Sequence, residues 1–165
     1  MIDLSPAQAA DRIAKLLVTP ESRTLDFKRI SDKHKKIIET VCAFANSEGG
    51  LLALGVGDAK DLRAGDKPQS RLWGVEENPE GFDDLRRLLL QRFTPALPRL
   101  HWLRMPCTLR DGKPGHVVLL RVEKSNQVHS VVGNGTWTRM DASNRELSAA
   151  EIADLTYQRG VKSAE

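Results

Sequence analysis

Cysteine, aromatic residues and long apolar runs are all scarce in this sequence of 165 residues. Its two cysteines, Cys42 and Cys107, lie far apart, so they form neither a CxxC pair nor a disulfide framework. Such sparse cysteine favours a reducing compartment. The longest apolar run covers only residues 51–56, well short of the ~20 residues that span a bilayer, and the N terminus lacks the features of a signal peptide. These absences predict a cytoplasmic protein with no membrane partner.

The charge balance is also unremarkable over the whole chain. Charged residues make up 28% and apolar residues 40% of the sequence, which is typical of a globular protein. The net charge is only +3, so the basic bias points to a partner only where the positive residues cluster. The length fits one domain, which we predict over residues 1–165.

Changes in hydrophobic period along the chain predict an α+β fold. Helical period marks four helices, and alternating or short apolar runs mark six strands. The helices are predicted at residues 5–19 and 32–47, from residue 82 until Pro95 and Pro98 close the helix, and from residue 148 onward. The strands are predicted at residues 24–28, 51–56, 100–105, 116–122, 128–132 and 136–140. The order α-β-α-β-α-β-β-β-β-α indicates a mixed, largely antiparallel sheet flanked by helices.

Turn residues predict how the later strands pair. Asp111-Gly112 joins two of them, and Gly133-Asn134-Gly135 predicts a hairpin between residues 128–132 and 136–140. Residues 57–79 are rich in Gly, Asp, Lys and Pro and indicate a long loop, with a short strand at 72–75. A loop this long in a small domain is often functional.

Four segments carry a more specific pattern. They are ESRTLDFKR at 21–29, VCAFANSEGG at 41–50, LGVGD at 54–58 and TWTRMDASN at 136–144. Together they resemble the Schlafen AlbA-type DNA-binding domain, and the resemblance extends over residues 21–144. One departure is Asp141, which stands where the family usually has glycine. Because Asp tolerates a left-handed backbone better than most residues, we expect the turn to be kept.

The resemblance implies two different functions. Bacterial members are mostly described as nucleic-acid-binding domains, whereas Schlafen members include endoribonucleases that cleave transfer and ribosomal RNA. The nucleases use three carboxylates, whose positions here are Glu21, Asp26 and Asp58. The zinc ligands of Schlafens have no counterpart, so we expect no zinc. Family members often continue into a further C-terminal region, so this chain is compatible with a fragment of a longer protein.

The three carboxylates are candidate metal ligands and catalytic residues. Converging carboxylates repel one another and therefore need a cation or a raised pKa. Oxygen ligands suit Mg²⁺ or Mn²⁺, which activate water and polarise phosphate, and the adjacent Lys28 would support the reaction by offsetting charge. The alternative is that Glu21 is a solvated linker residue and that Asp26 pairs with Lys28 on an exposed face.

A basic cluster lies next to these carboxylates. Residues 28–36 hold five basic residues and one aspartate, a local charge of +4 that exceeds the net charge of the chain. We predict that this cluster contacts phosphates, together with the arginine of the late segment; the alternative is a solvated face. The predicted contacts are Lys28, Arg29, Lys33, Lys35, Lys36 and Arg139. Such contacts give recognition by charge or shape rather than by base sequence.

The sequence gives little support for nucleotide binding, for a histidine metal site or for a catalytic triad. No GxxxxGK[ST] or GxGxxG motif is present, so we expect no nucleotide cofactor. No two histidines have metal-ligand spacing, and no serine or cysteine has the context of a catalytic triad. The tryptophans are interpreted as packing residues, although Trp137, two residues before Arg139, is also a candidate for stacking on a base.

The sequence therefore predicts a domain that binds DNA or RNA through the phosphate backbone, in transcription regulation or phage defence. The first alternative is a Mg²⁺- or Mn²⁺-dependent endoribonuclease that cleaves tRNA or other structured RNA. The second is a protein-interaction module of a larger protein. The residues leave open whether the protein is an enzyme, and they are compatible with a homo-oligomer.

Overall fold

In the computed structural model, which describes the backbone of residues 1–164 and the side chains of residues 1–161, four helices and nine strands form an α+β fold. The helices are α1 (Pro6–Leu17), α2 (His34–Ala45), α3 (Pro79–Gln91) and α4 (Ala149–Ala164). The strands are β1 (Ile2–Asp3), β2 (Leu25–Lys28), β3 (Gly50–Leu54), β4 (Phe93–Thr94), β5 (His101–Thr108), β6 (Pro114–Val122), β7 (Ser130–Val131), β8 (Trp137–Met140) and β9 (Ser143–Glu146).

Side-chain caps fix where the first and last helices begin. The Ser5 hydroxyl accepts a hydrogen bond from the backbone N–H of Gln8, with Pro6 at the first helical position. Ser148 and Glu151 form a capping box, in which each side chain accepts from the backbone N–H of the other. Within residues 1–164, none of the helices has both the length and the apolar character that crossing a bilayer requires.

The central sheet has five strands in the order β1-β5-β6-β3-β2. The two outer pairs, β1 with β5 and β2 with β3, are parallel, and the two inner pairs are antiparallel. This confirms the predicted mixed sheet. It also confirms the pairing of β5 with β6 across Asp111-Gly112.

Two apolar clusters cover opposite faces of this sheet because its side chains alternate. On β3, Leu52 and Leu54 pack in one cluster with α2 and α3, whereas Ala53 packs in the other with α1. The row Ile37, Val41 and Phe44 of α2 is fully buried in the first cluster. The helices therefore flank the sheet as predicted.

The parallel pairing of β2 with β3 determines where functional side chains meet. Their register places Asp26 beside Leu52 and Lys28 beside Leu54, so both strands end at the same edge of the sheet. The N–H of Gly55 donates to the carbonyl oxygen of Lys28 at 2.8 Å, which joins the two ends. The chain that follows β3 therefore passes next to the end of β2.

The predicted hairpin around Gly133-Asn134-Gly135 is reduced to one antiparallel bridge between Val131 and Gly135. The strand before this turn, β7, pairs with β4, and the strand after it, β8, pairs with β9. The β8–β9 hairpin closes through Asp141 and Ala142, and Asp141 has a φ of 52°. This confirms that aspartate adopts the left-handed conformation at the position where glycine is usual in the family.

The predicted strand at residues 72–75 is reduced to one bridge between Leu72 and Val56. A 3₁₀ turn follows at Val75–Glu77. Three strands were not predicted from the sequence, namely β1, β4 and β9. The first two have two residues each, too short for a period to be visible, and β9 has the polar sequence SNRE.

Candidate nucleic-acid interface

A cleft of about 450 Å³ opens where β2 and β3 end. It brings the three predicted carboxylates into one place with most of the predicted basic residues, although these residues come from separate segments of the chain. The lining side chains include Glu21, Asp26, Lys28, Arg29, Asp32, Lys33, Lys36, Asp58 and Asp61. Lys35 lies elsewhere, in a neighbouring groove with His34 and Val131.

Asp26 lies at the floor of this cleft between two cations. It is only 3% exposed, although the alternation of β2 suggested a solvent-facing side chain. Its Oδ1 accepts a hydrogen bond from Lys28 Nζ at 2.9 Å, and its Oδ2 accepts one from Arg139 Nη1 at 2.9 Å. The pair of Asp26 with Lys28 therefore exists, but it belongs to a buried charge network rather than to an exposed face.

Arg139 was predicted to contact phosphate, and its position contradicts that role. Its side chain is 0% exposed. Besides Asp26, it donates to Asn144 Oδ1 at 2.9 Å and to the carbonyl oxygen of Ser22 at 2.7 Å. The guanidinium also lies over the Phe44 ring. Because these partners surround it, Arg139 holds Asp26 and the start of β2 in place and does not reach solvent.

Glu21 lies beside Asp26 at the edge of β2. Its Oε2 accepts a hydrogen bond from the N–H of Phe27 at 3.0 Å, which satisfies an outer backbone donor of this edge strand. Burial, followed by the hydrogen bond with Asp26, raises the pKa of Glu21 to about 7. The carboxyl group of Glu21 therefore exchanges a proton near neutral pH.

Asp58 lines the same cleft but serves as a helix cap. Its Oδ1 accepts from the N–H of Lys60 at 2.9 Å, at the start of the single turn Ala59–Asp61. Among the side chains of residues 1–161, no three His, Cys, Asp or Glu residues are grouped so that they could hold a metal ion. The cleft thus contains the three carboxylates without forming a metal cage, since both oxygens of Asp26 already have cationic partners.

Arg71 is a charged residue of this region that sequence reasoning missed. It is 4% exposed, and it donates to the carbonyl oxygens of Gly57 at 2.9 Å and Leu17 at 3.2 Å. Burial lowers the pKa of Arg71, while the charges of Asp58 and Glu21 raise it. It therefore supplies a buried positive charge behind two of the carboxyl groups. No sequence signal marks it, because the long loop 57–79 folds back to bring it there.

The basic residues near the cleft differ in whether other protein groups already hold their side chains. Lys28 is held by Asp26, and Arg29 is paired with Glu77 and stacked on Trp73, with its Cζ 3.4 Å from the ring centroid. Lys33 and Lys36, in contrast, are exposed at the first turn of α2. Lys36 is only 3.5 Å from the buried Glu39 carboxylate, yet 62% of its side chain is exposed. These two lysines can reach a ligand without breaking the fold.

Comparison with solved structures gives the DIP2311 protein from Corynebacterium diphtheriae, with a TM-score of 0.56 at 18% sequence identity. The similarity covers 93% of this chain and 32% of that chain, so this chain spans about a third of that protein's length. At this identity the likeness shows the fold alone. A comparison with curated protein sequences gives no match.

Comparison with protein families gives a match to the family described as Schlafen, AlbA_2 over residues 21–148. The matched region begins at Glu21, includes the whole cleft and ends at the capping box of α4. It covers most of the chain and all four segments on which the resemblance depended. The chain therefore belongs to the Schlafen, AlbA_2 family.

Proposed function

We propose that the protein binds DNA or RNA through backbone phosphates at the rim of the cleft, with Lys33 and Lys36 as the principal contacts. The observation that carries this proposal is their exposure, one turn apart at the N-terminal end of α2. The free N–H groups and the dipole of a helix N terminus add positive potential at the same place. Phosphates bound there would be held by charge rather than by base identity.

The carboxyl groups in the cleft oppose phosphate binding less than their number suggests. Asp26 is neutralised by Lys28 and Arg139. Glu21 is partly protonated near neutral pH, and Arg71 lies behind it and Asp58. Asp32 Oδ2 is engaged by the backbone N–H of Arg29 at 2.8 Å. The acidic floor is therefore compensated from within, while the two lysines at the rim stay exposed to a ligand.

The salt dependence of binding tests this proposal. Each phosphate contact on duplex DNA contributes about 0.9 to the slope of log affinity against log salt. We expect the double variant Lys33→Gln, Lys36→Gln to bind a labelled DNA duplex more weakly, with a slope lower by about 2. The matched control is Lys15→Gln, which removes an exposed lysine from α1 on the other face of the sheet.

Two outcomes would contradict phosphate binding at this rim. One is a salt slope that is the same in the double variant, the control and the unaltered protein. The other is equally tight binding of an acidic polypeptide, which would favour a protein-interaction module. The same titrations with structured RNA compare the two nucleic acids. The cytoplasmic location stays a prediction.

A metal-dependent endoribonuclease is the second candidate function. It is favoured by the hydrogen bond of Glu21, whose pKa is about 7, with Asp26, which in turn accepts a hydrogen bond from Lys28 in the same cleft. A carboxyl group that titrates near the working pH can accept or donate a proton, and a neighbouring ammonium can offset charge on a phosphate. Mg²⁺ or Mn²⁺ remains a proposal here, because the carboxylates do not form a ready cage.

Cleavage of labelled transfer RNA in the presence of Mn²⁺ or Mg²⁺ tests this second function. If it is correct, cuts appear with the unaltered protein and are lost with both Glu21→Gln and Asp26→Asn. If cuts persist at the same level in both variants, they come from a contaminant. Binding without any cuts would leave the first function standing alone.

A further inference from the structure

Trp73 lies between two arginine side chains at the edge of the cleft. The Cζ atom of Arg29 is 3.4 Å and that of Arg110 is 3.7 Å from the centroid of the indole ring. Two guanidinium groups this close to one centroid must lie on opposite faces, because on the same face they would overlap. Guanidinium groups stack favourably on tryptophan through cation–π attraction.

The two arginines are held very differently. Arg29 is half-buried, and its guanidinium makes a paired contact with the Glu77 carboxylate, with Nε 3.3 Å from Oε1. Arg110 is exposed, and it forms no ion pair with any side chain that the structure describes. Apart from its stacking on Trp73, Arg110 is held through its backbone, whose N–H donates to the carbonyl oxygen of Leu72 at 2.9 Å. One face of the Trp73 ring is therefore covered by Arg29, which an ion pair holds in place. The other face is covered by the exposed Arg110, which a ligand can displace.

A groove of about 620 Å³ adjoins this outer face, next to the turn between β5 and β6. Its acidic residues already have partners: Glu77 pairs with Arg29, and Glu76 accepts from the backbone and ring of His116. Asp111 accepts from the backbone N–H of Lys113. The groove therefore offers an aromatic surface with two exposed cations, the side chains of Arg110 and Lys113.

We infer that the outer face of Trp73 is a stacking site for one unpaired nucleobase, which takes the place of Arg110. The inference rests on the proposed nucleic-acid binding and extends it. Arg29 lines the phosphate-binding cleft and also contacts Trp73, so the two sites are continuous. The displaced Arg110 and the adjacent Lys113 are then free to contact the flanking phosphates.

Trp137, which the sequence analysis named as a candidate for stacking on a base, is less suited to this role. Its indole N–H donates to the carbonyl oxygen of Asn134 at 2.9 Å, and its ring packs against the main apolar cluster. A base that stacked there would have to displace core contacts. A base on Trp73 would displace only one exposed arginine.

The experiment compares a short single-stranded DNA oligonucleotide with an abasic strand of the same length. Base–aromatic stacking is sequence-tolerant, and its loss typically weakens binding about tenfold or more. We expect Trp73→Leu to bind the base-bearing strand about tenfold more weakly than the unaltered protein does, whereas Trp73→Phe keeps most of the affinity. The abasic strand should bind all three proteins equally.

A second variant keeps Trp73 and so avoids any loss of folding. Arg110→Ala uncovers the indole, and we expect it to raise the ratio of base-bearing to abasic affinity. Stacking should also quench tryptophan fluorescence with the base-bearing strand but not with the abasic one. The inference is overturned if Trp73→Leu weakens both strands equally or neither, or if Arg110→Ala leaves the ratio unchanged.

The lysine variants separate this inference from the function on which it rests. If Lys33→Gln, Lys36→Gln weakens both strands while Trp73→Leu weakens neither, phosphate binding stands and only the stacking site fails. If the unaltered protein binds neither strand nor duplex, both proposals fail together.

Discussion

Arg139 and the pair Lys33 and Lys36 lie close to the same cleft, yet they serve opposite purposes. The arginine is fully buried, and four protein oxygens accept its hydrogen bonds, whereas the two lysines are exposed at the start of a helix. All three were predicted to contact phosphate from their charge and from the resemblance. The difference teaches that burial decides whether a positive charge stabilises the fold or remains available to a ligand.

The largest expected effect comes from removing the buried charge. Arg139→Met leaves Asp26 with only Lys28 as a cationic partner, and breaking a buried ion pair on one side typically costs about 3–5 kcal/mol of unfolding free energy. Chemical denaturation measures this loss. Lys33→Gln is the matched control, and we expect it to change the unfolding free energy by less than about 0.5 kcal/mol. Similar losses in both variants would break the comparison.

A smaller effect is expected from Glu21, which lies between the two regions. Its pKa is raised from 4.5 to about 7 in the folded protein, so the folded state binds a proton more tightly than the unfolded state. The associated stability is fully present below pH 4.5 and is lost as the pH rises to about 7. We expect denaturation midpoints to fall over this range in the unaltered protein.

The variant Glu21→Gln cannot titrate and is the control for this pH dependence. It should show a flatter midpoint between the same two pH values. If the two proteins have parallel profiles, the group responsible for the pH dependence is not Glu21. Binding of the DNA duplex, measured alongside, should weaken less steeply with pH in the variant, because its cleft gains no negative charge.

The smallest effect is expected at the turn that carries Arg139 into the interior. Asp141 already adopts a left-handed φ of 52°, so Asp141→Gly should change the unfolding free energy by less than about 1 kcal/mol. Asp141→Val, which does not suit this conformation, should lower it by about 1–2 kcal/mol. Equal stability of the two variants would mean that the turn does not constrain the hairpin.

Most helices and strands could be predicted from short sequence patterns, because the interactions that form them join residues close together in the chain. The capping boxes of α1 and α4, the amphipathic row of α2 and the β5–β6 hairpin each depend on residues a few positions apart. The pairing of β7 with β8 was mispredicted because these strands pair instead with β4 and β9, which have little pattern of their own. Sequence spacing cannot distinguish between such partners.

In the cleft, too, some features follow from short sequence motifs and others depend on residues distant in the chain. Its carboxylates were identified from motif positions, and the parallel pairing of β2 with β3 explains why they meet. Their environment was not predictable, because it depends on Arg71 and Arg139, which come from distant parts of the chain. Arg139 and Lys28 neutralise Asp26, and burial together with the Asp26 hydrogen bond raises the pKa of Glu21.

The sequence by itself determined the α+β class, the family and the set of charged residues near the cleft, because these follow from local period and motif. Only the tertiary structure decided which of these charged side chains remain accessible to a ligand. Arg139 is buried in an ion pair, whereas Lys33 and Lys36 remain exposed. Trp73 lies between two arginines from distant segments of the chain. The physical reason is that burial and charge pairing depend on neighbours in space, which chain order does not specify.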